Sequence, residues 1–448
     1  MPDVLRQVPG AILGFLLLFL FLAAPPSASG QSMASELESG PEAPLRLQEA
    51  LAQALQHNPE LAAYSEEIRA REAEALQAGL RPNPVLSLEA ENVFGSGDFS
   101  GTDAAETTAS LSQAIELGNK RSRRRELAEA ETTLAQSEYA VAKADIFAKT
   151  ADSFIAVLAA QERLQLVDEL ATLAKQVLGT VEERIAAGKA AATESVRARI
   201  QWRELEVARE KVRRDLAAAR RTLAAHMGFA AEDFGTAAGD LSRVADLPDL
   251  TDLERLIVDG PSISRRAADT ERRRRVVALE RSRRLPDLEV GLGVRNLRES
   301  DDTALVLGVS IPLPVFNRNQ GAIAAAGSRL DQARADERNT LLQTKATLSA
   351  TWQEMATAHE EAEVLGKEIL PAARQALEAS EYGYRAGKFG ILDVLDAQRT
   401  LVEAQGRHLD ALATCHRASN ELNRLLGRGF PRAGIRHPFP PPPRSDSP

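Results

Sequence analysis

The sequence predicts a mainly α-helical chain with a small β part, built as two similar halves. Three observations carry that expectation. A glycine-lysine turn occurs twice, as RIAAGK at 184–189 and GYRAGK at 383–388, with Gly188 and Gly387 separated by 387 − 188 = 199 residues. Each turn opens a run of helix formers that closes at a glycine, Gly228 and Gly427, again 427 − 228 = 199 apart. Aromatic residues make up 4% of the chain against 44% hydrophobic residues, and much of the 44% is alanine. Such a composition suits long helices packed through small side chains better than a thick core.

The duplication reaches further upstream. LRPNPVLSLEAEN at 80–92 parallels LPDLEVGLGVRN at 285–296, and LAQALQHNPEL at 51–61 parallels LERLIVDGPSI at 253–263. Pro84 and Pro286 differ by 202, as do Pro59 and Pro261. A unit of about 200 residues is too long for a solenoid repeat and reads as a duplicated half.

Residues 1–30 read as a secretory signal peptide: Arg6, an apolar run at 11–24, the stop Pro25-Pro26, and the small residues Ala28-Ser29-Gly30. The run is short of the ~20 residues that span a bilayer as a helix. Residues 31–44 read as a flexible segment. The first repeat is expected over 45–228. Residues 45–58 form a short amphipathic helix stopped at Asn58-Pro59, and a second helix runs to about Gly79. Leu86, Leu88 and Ala90 alternate with polar residues, giving a strand at 84–93; a polar loop leads to a second at 107–117. The helical hairpin 119–228 follows. In its first arm Leu127, Leu134, Val141, Ala148 and Ile155 recur every seven residues, with mostly small residues three places after each.

A linker is expected over 229–250. The second repeat, 251–427, has short helices at 251–259 and 262–284, strands at 286–297 and 303–312, and a helical hairpin at 319–427. Its long helix is expected uninterrupted from 319 to 385, with a return from 391 to 426. The proline-rich tail, 428–448, reads as disordered. Lengths give a packing rule. In the first repeat the short helix and the return helix total roughly 90 Å, close to the ~100 Å of the long helix at 1.5 Å per residue. Each half is therefore expected as one long helix beside two stacked shorter ones.

Several function classes lose support. A net charge of −9 and a pI near 5.5 argue against nucleic acid. The basic runs at 120–125 and 272–275 read as solvated helix faces near the sheet. Cys415 is the single cysteine, so no disulfide forms within one chain. The six histidines are not spaced as pairs, and no set of three or four converging ligands for a metal is visible. No catalytic triad, phosphate loop or paired carboxylates point to an enzyme, and no cofactor is expected.

The strands carry the strongest physical constraint. Each is about ten residues long, the length of a tilted strand crossing a bilayer. Their alternation suits lipid on one side and water on the other. Four strands cannot close a barrel, and an open edge in lipid costs several kcal/mol per unpaired backbone group. Closure requires more copies. Two copies give a barrel filled by its own side chains, three give one wide enough for passage, and sequence physics leaves both open.

The stretches LRLQEALAQALQHNPEL, AGLRPNPVLSLEAEN, SQAIELGNKRSRR, SIPLPVFNRNQGAI and YRAGKFGILDVLDAQ together span most of 45–427. On these the chain resembles the TolC-like outer membrane efflux factors, in their heavy-metal (CzcC-like) branch. It departs at Asn119, where the family commonly has a second glycine after Gly118; asparagine also tolerates a left-handed conformation. The resemblance implies a homotrimer whose four strands per chain build one 12-stranded outer-membrane barrel above a helical periplasmic tunnel. It implies docking with a periplasmic adaptor (membrane fusion) protein and an inner-membrane RND pump. The chain would then be a passive exit duct for heavy-metal cations of the cobalt/zinc/cadmium or copper/silver type. Alternatives are a duct for drug efflux or type I protein secretion, and a periplasmic coiled-coil scaffold with no barrel.

Candidate functional residues cluster at the duplicated turns. Asp393 and Asp396 share a face at the start of the second return helix. There they complement the helix dipole or, as the resemblance implies, form carboxylate rings at a periplasmic gate. Glu194 and Arg197 hold the same places 199 residues earlier, so the halves differ in charge. Gly188 and Gly387 fit helix reversals that need positive φ. With Arg184, Lys189, Tyr384, Arg385 and Lys388 they are expected as exposed tips, which the resemblance makes the adaptor-docking sites.

Overall fold

The structure, a computed structural model, describes residues 44–231 and 234–428. The expected signal peptide, residues 31–43 of the segment after it, and the tail beyond Arg428 lie outside the described residues. Helix α1 (Leu47–His57) and helix α2 (Pro59–Ala78) break at Asn58, whose backbone is extended. Pro59 has no N–H to lose at a first turn, and the Asn58 side chain accepts from the Glu60 N–H at 2.9 Å. Strands β2 (Val85–Glu91) and β3 (Glu106–Ile115) follow, then α3 (Lys120–Ala186) and α4 (Ala192–Met227). The order then repeats: α5 (Leu250–Leu256), α6 (Pro261–Ser282), β5 (Leu288–Leu297), β6 (Asp302–Ser310), α7 (Gln320–Val364), α8 (Leu370–Arg385) and α9 (Ile391–Leu426). A two-residue parallel pair, β1 (Leu45–Arg46) with β4 (Ala237–Ala238), ties the N-terminal end to the inter-repeat linker.

Both long helices leave the sheet through an asparagine in the left-handed region, Asn119 at φ 58° and Asn319 at φ 59°. The departure from a second glycine at Asn119 therefore keeps the strand-to-helix joint. The Asn319 amide donates to the Glu280 carbonyl at 2.8 Å, pinning the second joint to α6.

The stacked arrangement has a direct packing cause. The Asn58 amide donates to the His226 carbonyl at 3.0 Å, so α4 ends on the start of α2. A Cβ on Gly228 would lie 2.3 Å from the His57 carbonyl oxygen. In the second repeat a Cβ on Gly427 would lie 2.7 Å from Pro261 Cγ, so α9 ends on the start of α6. Above this junction α2 packs on α3, α3 on α6 and α6 on α7; below it α4 packs on α3, α3 on α9 and α9 on α8. The side-to-side order is thus α2/α4, α3, α6/α9, α7/α8.

Long helices pack through alanine, but with a shifted phase. The fully buried heptad positions in the upper part of α3 are Ala128, Ala135 and Ala142, while Leu127, Leu134 and Val141 are half-buried. With neighbours on two sides, α3 turns its smallest residues to the closest approach. The largest cluster lies at the junction, where Phe154, Val157, Leu158, Leu223, Met227 and Leu241 meet. A second lies toward the tips, around Val177, Val181, Leu377, Tyr384, Ile391 and Val394.

The expected unbroken helix is corrected. The helix expected uninterrupted over 319–385 carries a π-turn at Leu365–Ile369 between α7 and α8. Pro371 has no N–H to give and crowds the preceding turn, so a regular ladder cannot pass through it. His408 of α9 packs against this turn; a Cβ on Gly366 would sit 3.0 Å from its Nε2. Burial pushes the His408 pKa below its ordinary value, partly offset by a hydrogen bond to the Ala362 backbone.

Candidate functional site: duct wall and mouth

The four long strands form one antiparallel sheet in the order β2-β3-β5-β6. The register gathers most of the large apolar side chains on one face. Leu86 faces Leu111, Leu111 faces Leu292, and Leu292 faces Leu307, so one leucine row crosses all four strands. These leucines are 70%, 53%, 56% and 80% exposed. Val290, Val294, Leu305 and Val309 lie on the same face. Each such side chain left in water forgoes about 1.5–3 kcal/mol of burial, so this face is built for lipid.

The opposite face is mostly small and polar, with Val85, Leu297 and Val306 as its larger apolar members. It carries Ser87, Ser110, Ser112, Gly291, Gly293, Gly308 and Ser310. Side chains this short leave open space along the wall. Near the end remote from the helices, Arg295 pairs with Glu106 at 2.9 Å and Glu91 at 3.3 Å. The outer strands β2 and β6 each pair on one side alone, leaving backbone groups that a lipid-embedded sheet cannot leave unmet. A barrel-free periplasmic scaffold does not account for a lipid-type face of this kind. No helix among the described residues is long and apolar enough to cross a membrane.

At the other end of the long helices lie the two tips. Gly188 and Gly387 take φ of +68° and +73°. In both, the glycine N–H reaches a carbonyl three residues back, and the following lysine N–H reaches the carbonyl five residues back. These pairs close the helix ends with the same hydrogen-bond pattern.

The side chains differ. Arg184 crosses from the first tip to the second. It donates to the Tyr384 carbonyl at 2.7 Å and the Arg385 carbonyl at 3.2 Å, and its guanidinium lies 4.6 Å from the Tyr384 ring centroid. The Tyr384 hydroxyl donates to Glu194 at 2.8 Å. Burial, then this carboxylate, pushes the Tyr384 pKa up to about 12, so the hydroxyl keeps its proton throughout the neutral range. Tyr384 is 4% exposed, which corrects its expected place on an exposed tip. Its place in the turn marks it, and no local pattern reveals a partner 190 residues away. Lys189, Arg385, Gly188, Gly387 and Lys388 are exposed.

Asp393 and Asp396 are exposed at the start of α9. Asp393 accepts from the Gly390 N–H at 2.8 Å, a capping contact, and Asp396 pairs with Arg399 at 2.9 Å. Glu194, at the equivalent place in the first repeat, accepts from the Ala191 N–H at 3.4 Å and also holds Tyr384. Sequence reasoning missed Arg184 as a clasp and Phe389, whose ring would sit 2.2 Å from a Cβ on Gly383.

The basic runs are engaged locally. Lys120 pairs with Asp287, Arg123 with Glu126, Arg124 with Glu116, Arg272 with Asp269, and Arg275 with Glu126 and Glu271. Among the described residues no three His, Cys, Asp or Glu side chains converge as a metal site. His226 meets the Ser153 hydroxyl at 2.7 Å and His416 the Leu241 carbonyl at 3.0 Å.

A one-sided apolar sheet with open edges, joined to helices of about 100 Å, defines a subunit of an outer-membrane channel with a periplasmic helical part. The chain belongs to the outer membrane efflux protein family, whose pattern matches residues 50–229 and 253–428, one segment in each repeat. It is 34% identical to the cobalt-zinc-cadmium resistance protein CzcC of Cupriavidus metallidurans, over 93% of this chain and 98% of that one. It is 27% identical to the nickel-cobalt-cadmium resistance protein NccC of Alcaligenes xylosoxydans, over 75% and 72%. The fold matches the outer membrane protein VceC of Vibrio cholerae with a TM-score of 0.71 at 19% identity, covering 86% of this chain and 97% of that one. It also matches the open-state MtrE channel of Neisseria gonorrhoeae with a TM-score of 0.68 at 19% identity, covering 86% and 89%.

Proposed function

We propose that three copies of this chain form the exit duct of a tripartite heavy-metal efflux system, carrying divalent cations of the cobalt, zinc and cadmium type across the outer membrane. The observation that carries the duct is the sheet, largely apolar on one face and mostly small and polar on the other, with both edges open. The likeness to CzcC along nearly the whole of both chains supports the cargo.

Two sets of edges support the trimer. In the sheet, β2 of the first repeat and β6 of the second are the open edges. In the helical layer, α4 and α8 are the outer members below the junction. First-repeat edge meets second-repeat edge of the next copy in both layers, so one rotation closes both. The exposed faces are complementary. α4 presents Val196, Ile200 and Val207, and α8 presents Ala372, Ala376 and Ala379. Branched residues opposite alanines allow close helix packing.

The tips are the sites for a periplasmic adaptor that links the duct to an inner-membrane RND pump, through exposed Gly188, Lys189, Arg385, Gly387 and Lys388. Asp393 and Asp396 are the gate carboxylates: three copies place two rings of negative charge at the mouth, which attract cations. Arg184 and Tyr384 act behind the surface and set the spacing of the two tips.

A strain lacking this chain should lose tolerance of cobalt, zinc or cadmium salts and regain it with the wild-type chain. Loss of tolerance to organic drugs alone, with metal tolerance intact, would replace the cargo and leave the duct. Changing both Asp393 and Asp396 to alanine should weaken cation block of single channels in planar bilayers; unchanged conductance and block would remove their gating role.

A further inference from the structure

The polar face of the sheet has an uneven charge pattern. Its strand residues include the acids Glu89, Glu91, Glu106, Glu289 and Asp302, and Arg295 is the one cation among them. Arg295 sits on β5, and its guanidinium gathers groups from two other strands. Glu106 of β3 lies at 2.9 Å, Thr108 of β3 at 3.0 Å and Glu91 of β2 at 3.3 Å. Glu106 is held a second time by the Asn92 amide at 3.2 Å. The helices join the sheet near residues 79, 120, 282 and 320. Glu91, Glu106 and Arg295 lie at the opposite end, beside the loops 92–105 and 298–301, which is the exit of the duct.

We infer that Arg295 is a selectivity-determining residue of the exit, where it neutralises part of an acidic ring and limits the cation preference of the open barrel. The inference rests on the trimeric duct proposed above, in which this face lines the lumen. The physical reason is the medium. Fixed charges on the wall of a narrow aqueous passage bias the local ion population over about one Debye length, roughly 10 Å at 0.1 M salt. At this level each chain sets Glu89, Glu91, Glu106 and Asp302 around one guanidinium, and two of them, Glu91 and Glu106, touch it. Removing the guanidinium leaves both uncompensated, and three chains repeat the change around one ring. A cation leaving the duct then meets a deeper well at the exit, which favours entry and slows release.

A purely structural reading makes Arg295 a staple between strands. The two readings separate by chemistry. A staple needs the planar fork of arginine, which lysine cannot reproduce. A counter-charge needs only the positive charge.

The test is the reversal potential of single channels in planar bilayers under a potassium chloride gradient, with wild-type protein and three variants. Arg295→Gln should raise the cation-to-anion permeability ratio by about twofold, and Arg295→Lys should stay near wild type. Glu91→Gln combined with Glu106→Gln should lower the ratio, and remains informative if Arg295→Gln fails to insert. Channels that form normally but keep one ratio in every variant overturn the role of Arg295 and leave the duct standing. An equal shift for Arg295→Lys and Arg295→Gln overturns it in favour of the staple. Wild-type protein that forms no channels overturns the duct itself.

Discussion

The two tips of this chain share a backbone and divide their side chains. At the first, Gly188 closes α3; at the second, Gly387 closes α8, with the same pair of hydrogen bonds and nearly the same φ. Position by position the residues diverge. Arg184 of the first repeat corresponds to Gly383 of the second, and Ile185 corresponds to Tyr384, each 199 residues on. The first tip supplies a long cationic arm and the carboxylate Glu194. The second supplies the carbonyls that receive the arm, the ring beneath it and the hydroxyl that meets the carboxylate. Duplication placed the two turns at the same height, and divergence made them a clasp.

The largest expected effect comes from filling the space that the second tip keeps empty. Gly383→Leu drives a side chain into the Phe389 ring, while a Cβ at Gly188 meets nothing within 4 Å. Overpacking should cost about 1–3 kcal/mol and abolish metal tolerance, with Phe389 displaced from the turn. Gly188→Ala should retain more tolerance, because it pays only the left-handed strain of about 1–2 kcal/mol. Equal phenotypes would break the asymmetry claimed for the tips.

The clasp itself comes next. Arg184→Ala should lower the unfolding free energy of the tips by about 1–3 kcal/mol, since the carbonyls of Tyr384, Arg385 and Lys189 lose a charged donor. Tyr384→Phe should cost about 1 kcal/mol, because it removes one hydrogen bond and keeps the ring. Hydrogen exchange at the start of α4 should accelerate in both variants, more in the first. Identical exchange to wild type would mean the contacts carry no coupling.

A third change should act in the opposite direction. Gln398 lies in α9 on the buried face between Val394 and Leu401, is fully buried, and makes no hydrogen bond at either amide atom. Its first-repeat counterpart, Arg199, is exposed. Gln398→Leu should stabilise the second hairpin by about 1–2 kcal/mol, because an unpaired buried amide is replaced by an apolar group. Thermal unfolding of the detergent-solubilised protein checks this, and a fall in midpoint would show that the amide is satisfied in the assembly.

The smallest effect concerns the π-turn. His408 has a lowered pKa, so the folded protein resists its protonation. The unfolded chain takes up that proton below about pH 6.5, so stability falls as pH drops through this value toward the folded pKa. His408→Gln should flatten the decline between pH 6.5 and 5, where wild type should lose stability. Parallel curves would place the acid sensitivity elsewhere.

These contrasts mark what the sequence can disclose. The repeat, the positive-φ glycines, the strand alternation and the helix lengths are local or periodic features, and they were legible. The stacking of α4 on α2 was legible through length alone. Contacts such as Arg184 with Tyr384 join residues 200 apart, and nothing in either segment names its partner. The π-turn did leave a signal, because Pro371 inside an otherwise regular helix forbids an unbroken ladder. The heptad phase of α3 holds at Ala148, Ala151, Ile155 and Leu158 and shifts by one residue only in the upper part, at Ala128, Ala135 and Ala142, where the helix has neighbours on two sides.

The central claim is that each chain is one third of a continuous wall, with α4 of one copy against α8 of the next. Val196 stands 196 − 188 = 8 residues beyond one tip and Ala379 stands 387 − 379 = 8 before the other, so they lie at one height. Cys415 is buried, and burial pushes its thiol up to about 11, so it stays silent in oxidation. A chain carrying Val196→Cys and Ala379→Cys, oxidised in outer-membrane fractions, should give covalent dimers and trimers that reduction dissolves. Oxidised protein that remains monomeric while the native trimer is intact would contradict the order of helices around the duct.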